Sequence, residues 1–213
     1  MAVQVSIRDL PNYYPDTQEV YSVTVGDEEI RTVVTKNAST VDHWIERVYS
    51  DYNYYLNHLI VGLDVEWRPA YGIGLYRYHV ATLQLCVGRR CLIFQMIHAD
   101  EIPESLRGFL SNPYFRFVGV GIQSDVDKLG CDYNIGVMNA FDIGNLAAVK
   151  YGNKGFKNVG LMGLAEVVLG CGEIEKPRNV TLSNWDQYHL TPAQIKYACV
   201  DAYVSFKIGE QLL

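Results

Sequence analysis

The sequence predicts an α/β fold in which a mixed β-sheet carries helices on both faces. Three strand-like segments, 59–67, 79–87 and 90–96, follow one another with short connections, which is typical of an antiparallel meander. From residue 103 onward, helical and strand-like patterns alternate, which indicates strand–helix units. Antiparallel strands followed by such units predict a mixed sheet that is covered on both sides.

A hairpin and a helix are predicted before this meander. Segments 19–25 and 30–35 flank a turn at Gly26 and are interpreted as the two strands of the hairpin. Ser39 and Thr40 then precede apolar residues at three- and four-residue spacing, so one of the two is expected to be a helix N-cap. The apolar positions of this helix are Val41, Trp44, Ile45, Val48, Tyr49, Tyr52 and Leu56.

After the meander, the pattern predicts five helices and two strands. The helices are placed near 103–110, 124–130, 143–150, 160–169 and 192–210, and the strands at 115–121 and 139–142. No repeat, low-complexity tract or linker divides the chain. We therefore interpret residues 1–213 as one domain, in which a core at 59–213 carries an N-terminal extension at 1–58.

Composition and charge exclude several classes of protein. The chain has 213 residues, 49% of them apolar, which is enough for a full hydrophobic core. A net charge of −6 disfavours a protein that coats nucleic acid non-specifically, but it allows an enzyme with a local basic surface. We see no membrane-length apolar run, no secretory signal and no disulfide or zinc spacing among the five cysteines. We therefore expect an intracellular protein, in the nucleus, the cytoplasm or both, with no membrane partner.

Two carboxylates lie on a strand that is otherwise apolar. Asp64 and Glu66 are two residues apart in the segment 59–67, so their side chains share one face of the strand. Two buried like charges need a proton or a bound cation, and hard divalent cations prefer oxygen ligands. The alternative is that both residues end the strand and are solvated.

The last predicted helix carries a further acidic residue, Asp201, where burial is expected. Thr191 and Pro192 fix its start, because they form a capping box and the first helical position. Tyr197 and Asp201 are four residues apart and therefore project from the same side of the helix. The helix is apolar on nearly all sides, which indicates burial. The alternative is a Tyr–Asp pair on an exposed stripe.

A third acidic residue follows a strand that ends in two glycines. Asp125 comes shortly after Gly119 and Gly121, near the start of the helix predicted at 124–130. Open α/β sheets place their sites at the carboxyl ends of strands. The alternative is that Asp125 only favours the helix start through capping and the helix dipole.

The order of these motifs resembles the 3′–5′ exonuclease superfamily that is named for its four acidic residues, DEDD. The tyrosine-bearing branch is indicated, because Tyr197 precedes Asp201 by four residues and Lys196 stands where the other branch has histidine. The stretches VGLDVEWRP, FVGVGIQSDVDKLG and LSNWDQYHLTPAQIKYACVDAYVSFKI are similar to Werner-syndrome-type exonuclease domains. The resemblance implies a ribonuclease-H-like fold whose catalytic core is 59–213.

The resemblance also implies a site with two divalent cations, Mg²⁺ or Mn²⁺. By the matching positions, Asp64 bridges both ions, and Glu66 and Asp201 hold the ion that activates water. Asp125 supports the second ion through water. Tyr197 orients the attacking water through its hydroxyl group.

Further residues are candidate substrate contacts. Two follow the D-x-E strand, one lies on the helix after Asp125, and three belong to a segment without acidic residues that could face phosphates. They are Trp67, Arg68, Lys128, Lys150, Lys154 and Lys157. The alternatives are packing for the tryptophan and a solvated surface for the lysines.

The sequence thus predicts a metal-dependent 3′–5′ exonuclease that acts on nucleic acid with a free 3′ end, with DNA favoured. One alternative is an enzyme restricted to RNA, similar to ribonuclease D. Another is a weakly active nucleic-acid-binding or assembly module on the same fold. Assembly into a homo-oligomer is left open.

Overall fold

The computed structural model describes residues 2–69 and 78–213. Within these residues the chain forms eight strands and seven α-helices. The strands are β1 Val5–Asp9, β2 Gln18–Val25, β3 Glu28–Thr35, β4 Ile60–Trp67, β5 Val80–Val87, β6 Arg90–Phe94, β7 Arg116–Gly119 and β8 Ala140–Asp142. The helices are α1 Ala38–Asp51, α2 Glu104–Leu110, α3 Ile122–Tyr133, α4 Ile143–Lys150, α5 Leu161–Val168, α6 Arg178–Thr181 and α7 Pro192–Leu212.

All eight strands belong to one sheet with the order β1-β2-β3-β6-β5-β4-β7-β8. The pairs β1–β2, β2–β3, β6–β5 and β5–β4 are antiparallel, whereas β3–β6, β4–β7 and β7–β8 are parallel. The mixed sheet is therefore confirmed, and β1 is a strand that the sequence reasoning missed. The sheet runs through both the extension and the core, and their division at residue 58 stays a prediction.

Helices cover both faces of the sheet, as predicted. Apolar side chains of α1, α2 and α3 pack on one face, and those of α4, α5, α6 and α7 pack on the other. We call these the α1 face and the α7 face. Among the residues that the structure describes, no helix is both long and apolar enough to cross a membrane.

The start of α1 differs from the prediction. Neither Ser39 nor Thr40 is the N-cap, because the helix begins at Ala38 and Asn37 occupies the cap position. The cap is supplied from elsewhere in the chain, since the Asp100 carboxylate accepts a hydrogen bond from the Ala38 N–H at 2.8 Å. A local pattern could not reveal a partner that is 62 residues away along the chain.

Direct backbone contact joins β4 to α7 at Gly62. A Cβ atom on this glycine would overlap the carbonyl oxygen of Ala202 and lie 2.8 Å from the backbone nitrogen of Phe206. The Thr191 capping box is present and fixes where α7 begins. Because strand and helix touch through their backbones, residues on the facing sides of β4 and α7 are held close together.

We predict that Gly62→Ala destabilises the fold by more than about 3 kcal/mol, because the added methyl group must push α7 away from β4 and overpacking typically costs 1–3 kcal/mol even where neighbours can shift. Thermal or urea unfolding measures this. Gly108→Ala is the matched control, since Gly108 lies in α2 and a Cβ there meets nothing within 4 Å. The control is expected to be neutral or slightly stabilising. Equal stabilities of the two variants would contradict the close contact.

Candidate active site

The carboxyl end of β4 delivers two carboxylates to the α7 face. Leu63 and Val65 are buried in the core of the α1 face, so Asp64 and Glu66 point the other way. Both carboxylates are half-buried beneath α7. The predicted pairing of the two side chains on one strand face is therefore present in the structure.

Asp201 of α7 joins this pair. One carboxylate oxygen from each of Asp64, Glu66 and Asp201 can be chosen so that all three lie within 4.8 Å of one another. Asp201 is only 3% exposed, so its charge is removed from bulk water. This three-carboxylate cluster has the donor atoms and the spacing that suit a hard divalent cation.

Asp125 lies beside the cluster in the first turn of α3. The helix starts at Ile122, two residues before the predicted start, because Gly121 adopts the left-handed conformation with φ of 66°. At Gly119, a Cβ would come within 2.7 Å of the Leu63 carbonyl oxygen, so the turn packs against β4. Asp125 is buried, and its charge contributes to the raised pKa of both Asp64 and Glu66.

Tyr197 lies one helical turn before Asp201 and is buried. Its hydroxyl oxygen accepts a hydrogen bond from Thr181 Oγ1 at 3.2 Å, and its ring lies 5.8 Å from that of Trp185. Burial, together with the Asp201 charge, raises the pKa of the Tyr197 phenol. The phenol is therefore protonated at neutral pH and keeps an O–H that can donate a hydrogen bond.

Lys176 is a functional candidate that the sequence reasoning missed. Its ammonium group donates a hydrogen bond to Oδ2 of Asp201 at 2.6 Å and lies 4.9 Å from the centre of the Tyr197 ring. Burial opposes the charged form, but the Asp201 carboxylate outweighs it and raises the pKa of Lys176. Lys176 lies between α5 and α6 and follows Glu175, so no periodic pattern marked it.

The second oxygen of Asp201 has no such partner. Oδ1 is buried and accepts no hydrogen bond of normal geometry from residues 2–69 or 78–213. A buried carboxylate oxygen without a donor is costly, and a bound cation removes that cost. The residues present therefore fit a divalent cation held by Asp64, Glu66 and Asp201.

All four carboxyl groups have raised pKa values. Burial, with repulsion from Asp201, raises the pKa of Glu66 to about 8, and burial raises that of Asp125 to about 7. Burial and the three neighbouring carboxylates raise the pKa of Asp64 well above its usual value. Burial also raises the pKa of Asp201, although Lys176 and the neighbouring Tyr197 hydroxyl oppose this. A divalent cation would displace these protons.

The candidate substrate contacts near β4 are held by other residues. The Lys128 ammonium pairs with Asp132 at 3.1 Å, donates to the Tyr78 carbonyl oxygen and lies 5.1 Å from the Trp67 ring. Arg68 lies 3.5 Å from an Asp186 carboxylate oxygen and is half-exposed. Arg68 is therefore open to a substrate, whereas Lys128, with 13% of its side chain exposed, anchors the chain beside Trp67. Their contact with substrate stays a prediction.

The three lysines of the basic segment do not share one place. The Lys150 ammonium donates to the Gln211 carbonyl oxygen, ten residues beyond Asp201 on α7 and thus roughly 15 Å along the helix axis. The backbone of Lys157 packs against the start of α4, since its Cα would lie 3.5 Å from a Cβ atom added to Gly144. Lys154 is exposed. Lys150 is thus directed away from the carboxylates, and the phosphate contacts of all three stay predictions.

A family model described as 3′–5′ exonuclease matches residues 13–213. The chain belongs to this 3′–5′ exonuclease family. The match includes all four carboxylates, Tyr197 and Lys176, and it begins after β1.

Curated relatives agree with this family. The chain is 38% identical over 153 residues to a 3′–5′ exonuclease of Arabidopsis thaliana, which covers 71% of this chain and 52% of the relative. It is 34% identical over 154 residues to the bifunctional 3′–5′ exonuclease/ATP-dependent helicase WRN of Mus musculus, covering 72% and 11% of the two chains. The chain therefore spans about half the length of the first relative and a small part of the second.

Solved structures agree with the fold. Escherichia coli RNase D, an exoribonuclease, superimposes with a TM-score of 0.69 at 17% identity, over 84% of this chain and 43% of that one. The EXD2 exonuclease domain gives a TM-score of 0.50 at 26% identity, over 85% and 88%. The predicted ribonuclease-H-like, mixed-sheet fold is confirmed.

We predict that the metal-free exonuclease domain loses stability as the pH rises from about 5 to about 8. A carboxyl group whose pKa is raised by folding keeps a proton that the unfolded chain releases above its ordinary pKa near 4. The loss is on the order of 1 kcal/mol per pH unit for each group that titrates. Melting curves with a chelator measure it. Saturating Mn²⁺ should flatten the pH dependence, and a metal-free protein that is most stable near pH 8 would contradict the crowded pocket.

We predict that Lys176→Met lowers the stability of the metal-free protein by about 1–3 kcal/mol, because Asp201 loses its hydrogen-bonded counter-charge. The loss is smaller than for a fully buried pair, since 37% of the Lys176 side chain is exposed. Unfolding in chelator measures the change. Lys207→Met is the control, since Lys207 pairs with an exposed carboxylate, Glu210, on the same helix as Asp201. A Lys176 variant as stable as the control would refute the pair.

Proposed function

We propose that this protein is a metal-dependent 3′–5′ exonuclease that hydrolyses phosphodiester bonds from a free 3′ end of nucleic acid, with DNA favoured. One observation carries the proposal: the oxygens of Asp64, Glu66 and Asp201 approach within 4.8 Å, with a buried acceptor left unpartnered, in a chain of the 3′–5′ exonuclease family. An arrangement that costs stability without a cation is best explained by the use of one.

The oxygen-only donor set supports Mg²⁺ or Mn²⁺ over softer metals. Asp64, Glu66 and Asp201 would hold the first ion, and Asp125, beside Asp64, would help to hold the second. When bound, two such ions supply charge stabilisation for the attacking and leaving oxygens of the phosphodiester. Crystals of the related EXD2 exonuclease domain were soaked with Mn and dGMP, which fits the same use of metal and nucleotide.

The remaining side chains have roles in binding and orientation. The protonated Tyr197 hydroxyl can donate a hydrogen bond to the water that attacks the phosphorus, while Thr181 holds the hydroxyl from the other side. Lys176 keeps Oδ2 of Asp201 fixed, and the buried Oδ1 is left as the oxygen that a cation would take. The half-exposed Arg68 is the best placed of the candidate contacts to meet a phosphate, since its partner Asp186 is 3.5 Å away and easily exchanged.

The substrate preference is the finer part of the proposal. Likeness to RNase D, at 17% identity, concerns the fold alone and does not argue for RNA. The EXD2 domain was soaked with GMP as well as with dGMP, so these soaks favour neither RNA nor DNA. We propose DNA with a free 3′ end as the substrate, because the sequence motifs resemble Werner-syndrome-type exonuclease domains, and we keep RNA as the alternative.

The test is cleavage of 5′-labelled strands by wild type and Asp64→Asn, with Mg²⁺, Mn²⁺ or chelator. We predict shortening from the 3′ end that needs metal, and a loss of at least about 10²-fold in Asp64→Asn, as for the removal of one transition-state stabiliser. Asp127→Asn is the matched control, because Asp127 is exposed on α3, near Asp125. Single-stranded DNA, duplexes with recessed 3′ ends and RNA are compared.

Each outcome decides a part of the proposal. Faster cleavage of RNA than of DNA would replace the substrate and keep the chemistry. Cleavage of none of the three, or an Asp64→Asn protein within tenfold of wild type, would overturn the exonuclease assignment.

A further inference from the structure

A second cavity lies on the α1 face, away from the carboxylates. It has a volume of about 580 Å³ and lies between α1, β3 and the loop that joins β1 to β2. Its walls include Tyr13, Tyr14, Arg31, His43, Trp44 and Arg47. We call this cavity the α1 groove. Nothing in the proposed exonuclease chemistry uses it.

The α1 groove is positively charged in a chain whose net charge is −6. No aspartate or glutamate lines it, and neither Arg31 nor Arg47 forms an ion pair with a carboxylate of residues 2–69 or 78–213. The Arg47 Nε–H donates a hydrogen bond to His43 Nε2 at 3.5 Å, and the carboxylates near Arg31, Glu29 and Asp51, are paired with Arg8 and Arg90. A third arginine on its wall, Arg90, is paired with Asp51. Two arginines without a carboxylate partner, one from β3 and one from α1, indicate a ligand with negative charge.

Two tyrosines stand at the rim of the α1 groove. Tyr13 is 86% exposed and Tyr14 is 67% exposed, so both rings are open to solvent. The loop that carries them is ordered by Asn12, whose Oδ1 accepts from the Tyr14 N–H at 3.1 Å and whose amide donates to the Gln18 carbonyl oxygen at 2.5 Å. The rings are thus presented to solvent by a fixed turn, in a form that flat ligands can stack on.

We infer that the α1 groove binds a single-stranded segment of nucleic acid, with phosphates on Arg31 and Arg47 and bases stacked on Tyr13 and Tyr14. Arginines without a carboxylate partner, beside exposed aromatic rings, are the combination that binds single strands without regard to sequence. An acidic peptide would use the arginines but would have no need of two exposed rings. The inference rests on the proposed function for the identity of the ligand.

The position of the α1 groove defines which part of a substrate it meets. Arg31 on β3 is level with Arg90 on β6, which is level with Val87 on β5. Because Cys86 on β5 pairs with Gly62 on β4, Val87 is level with Val61. Glu66 is therefore three strand spacings across the sheet and five residues along β4 from Arg31, a distance of roughly 20 Å. The two sites also lie on opposite faces of the sheet. The α1 groove binds the strand 5′ of the end that is being cut, and a trinucleotide cannot reach both sites.

The experiment measures binding of a labelled strand of about 20 nucleotides to the Asp64→Asn protein in chelator, by fluorescence anisotropy over a range of salt concentrations. Replacing Arg31 and Arg47 by alanine should weaken binding at least about tenfold and make the salt dependence shallower by roughly 0.7 per lost phosphate contact. Replacing Tyr13 and Tyr14 by alanine should weaken binding by a similar factor without changing the salt slope.

Matched controls lie outside the α1 groove. Tyr54→Ala removes a tyrosine that is 92% exposed, and Lys207→Ala removes a surface cation, so neither should change affinity or slope. The arginine pair and the tyrosine pair are replaced in separate proteins. If one of these variants does not fold, the binding of the other still tests the inference. Displacement of the strand by polyglutamate, with no effect of the tyrosine changes, would indicate an acidic protein partner and overturn the inference.

Cleavage by the groove variants in the wild-type background separates this inference from the proposed function. The tyrosine variants should lose at least about tenfold in kcat/KM on the long strand and nothing on a trinucleotide. Equal loss on both substrates, or on neither, would overturn the α1 groove as a binding site while leaving the exonuclease intact. If wild type cleaves neither substrate, the proposed function fails, and the anisotropy measurement alone decides on the groove.

Discussion

The structure depends on the backbone contact between β4 and α7. At Gly62, the backbone of α7 lies directly against the strand, so a residue with a side chain does not fit at this position. Two residues farther along β4 and opposite the same helix, Asp64 comes within reach of Asp201. Crowding of carboxylates in a buried place is thus a consequence of main-chain packing. The repulsion is opposed in this chain by the ammonium group of Lys176 and, as we propose, by divalent cations.

The rest of the fold supports this contact. Parallel pairing of β4, β7 and β8 brings their carboxyl ends to one edge, where α3 starts and Asp125 enters. The capping box at Thr191 fixes the register of α7 along the sheet and so sets the heights of Tyr197 and Asp201. Lys176 belongs to a loop that contacts the residues just before β1, since the Val3 N–H donates to the Glu173 carbonyl oxygen at 2.9 Å. The N-terminal residues therefore help to position a side chain of the site, although the family match begins after them.

Much of this arrangement was predictable from the sequence, and the exceptions share a cause. An apolar run located β4 and helical spacing located α7, and charges within these apolar patterns identified Asp64 and Asp201. Asp125 was identified by its place at a helix start, just after a strand that ends in glycines. Lys176 could not be found in this way, because it is a loop residue and its partner, Asp201, is 25 residues away along the chain. The prediction for the start of α1 was wrong for the same reason, because the carboxylate that caps the helix comes from the distant Asp100. Lys128 matched the expectation of a basic surface, yet Asp132 and Trp67 hold it in place.

The proposed function requires that Asp64, Glu66 and Asp201 hold a divalent cation. Anomalous diffraction from crystals of the wild-type protein soaked with Mn²⁺ tests this. We predict a manganese peak among these three carboxylates, with Oδ1 of Asp201 as a ligand and Lys176 still on Oδ2. An empty cluster at saturating Mn²⁺, or a peak only at carboxylates elsewhere on the surface, would contradict it.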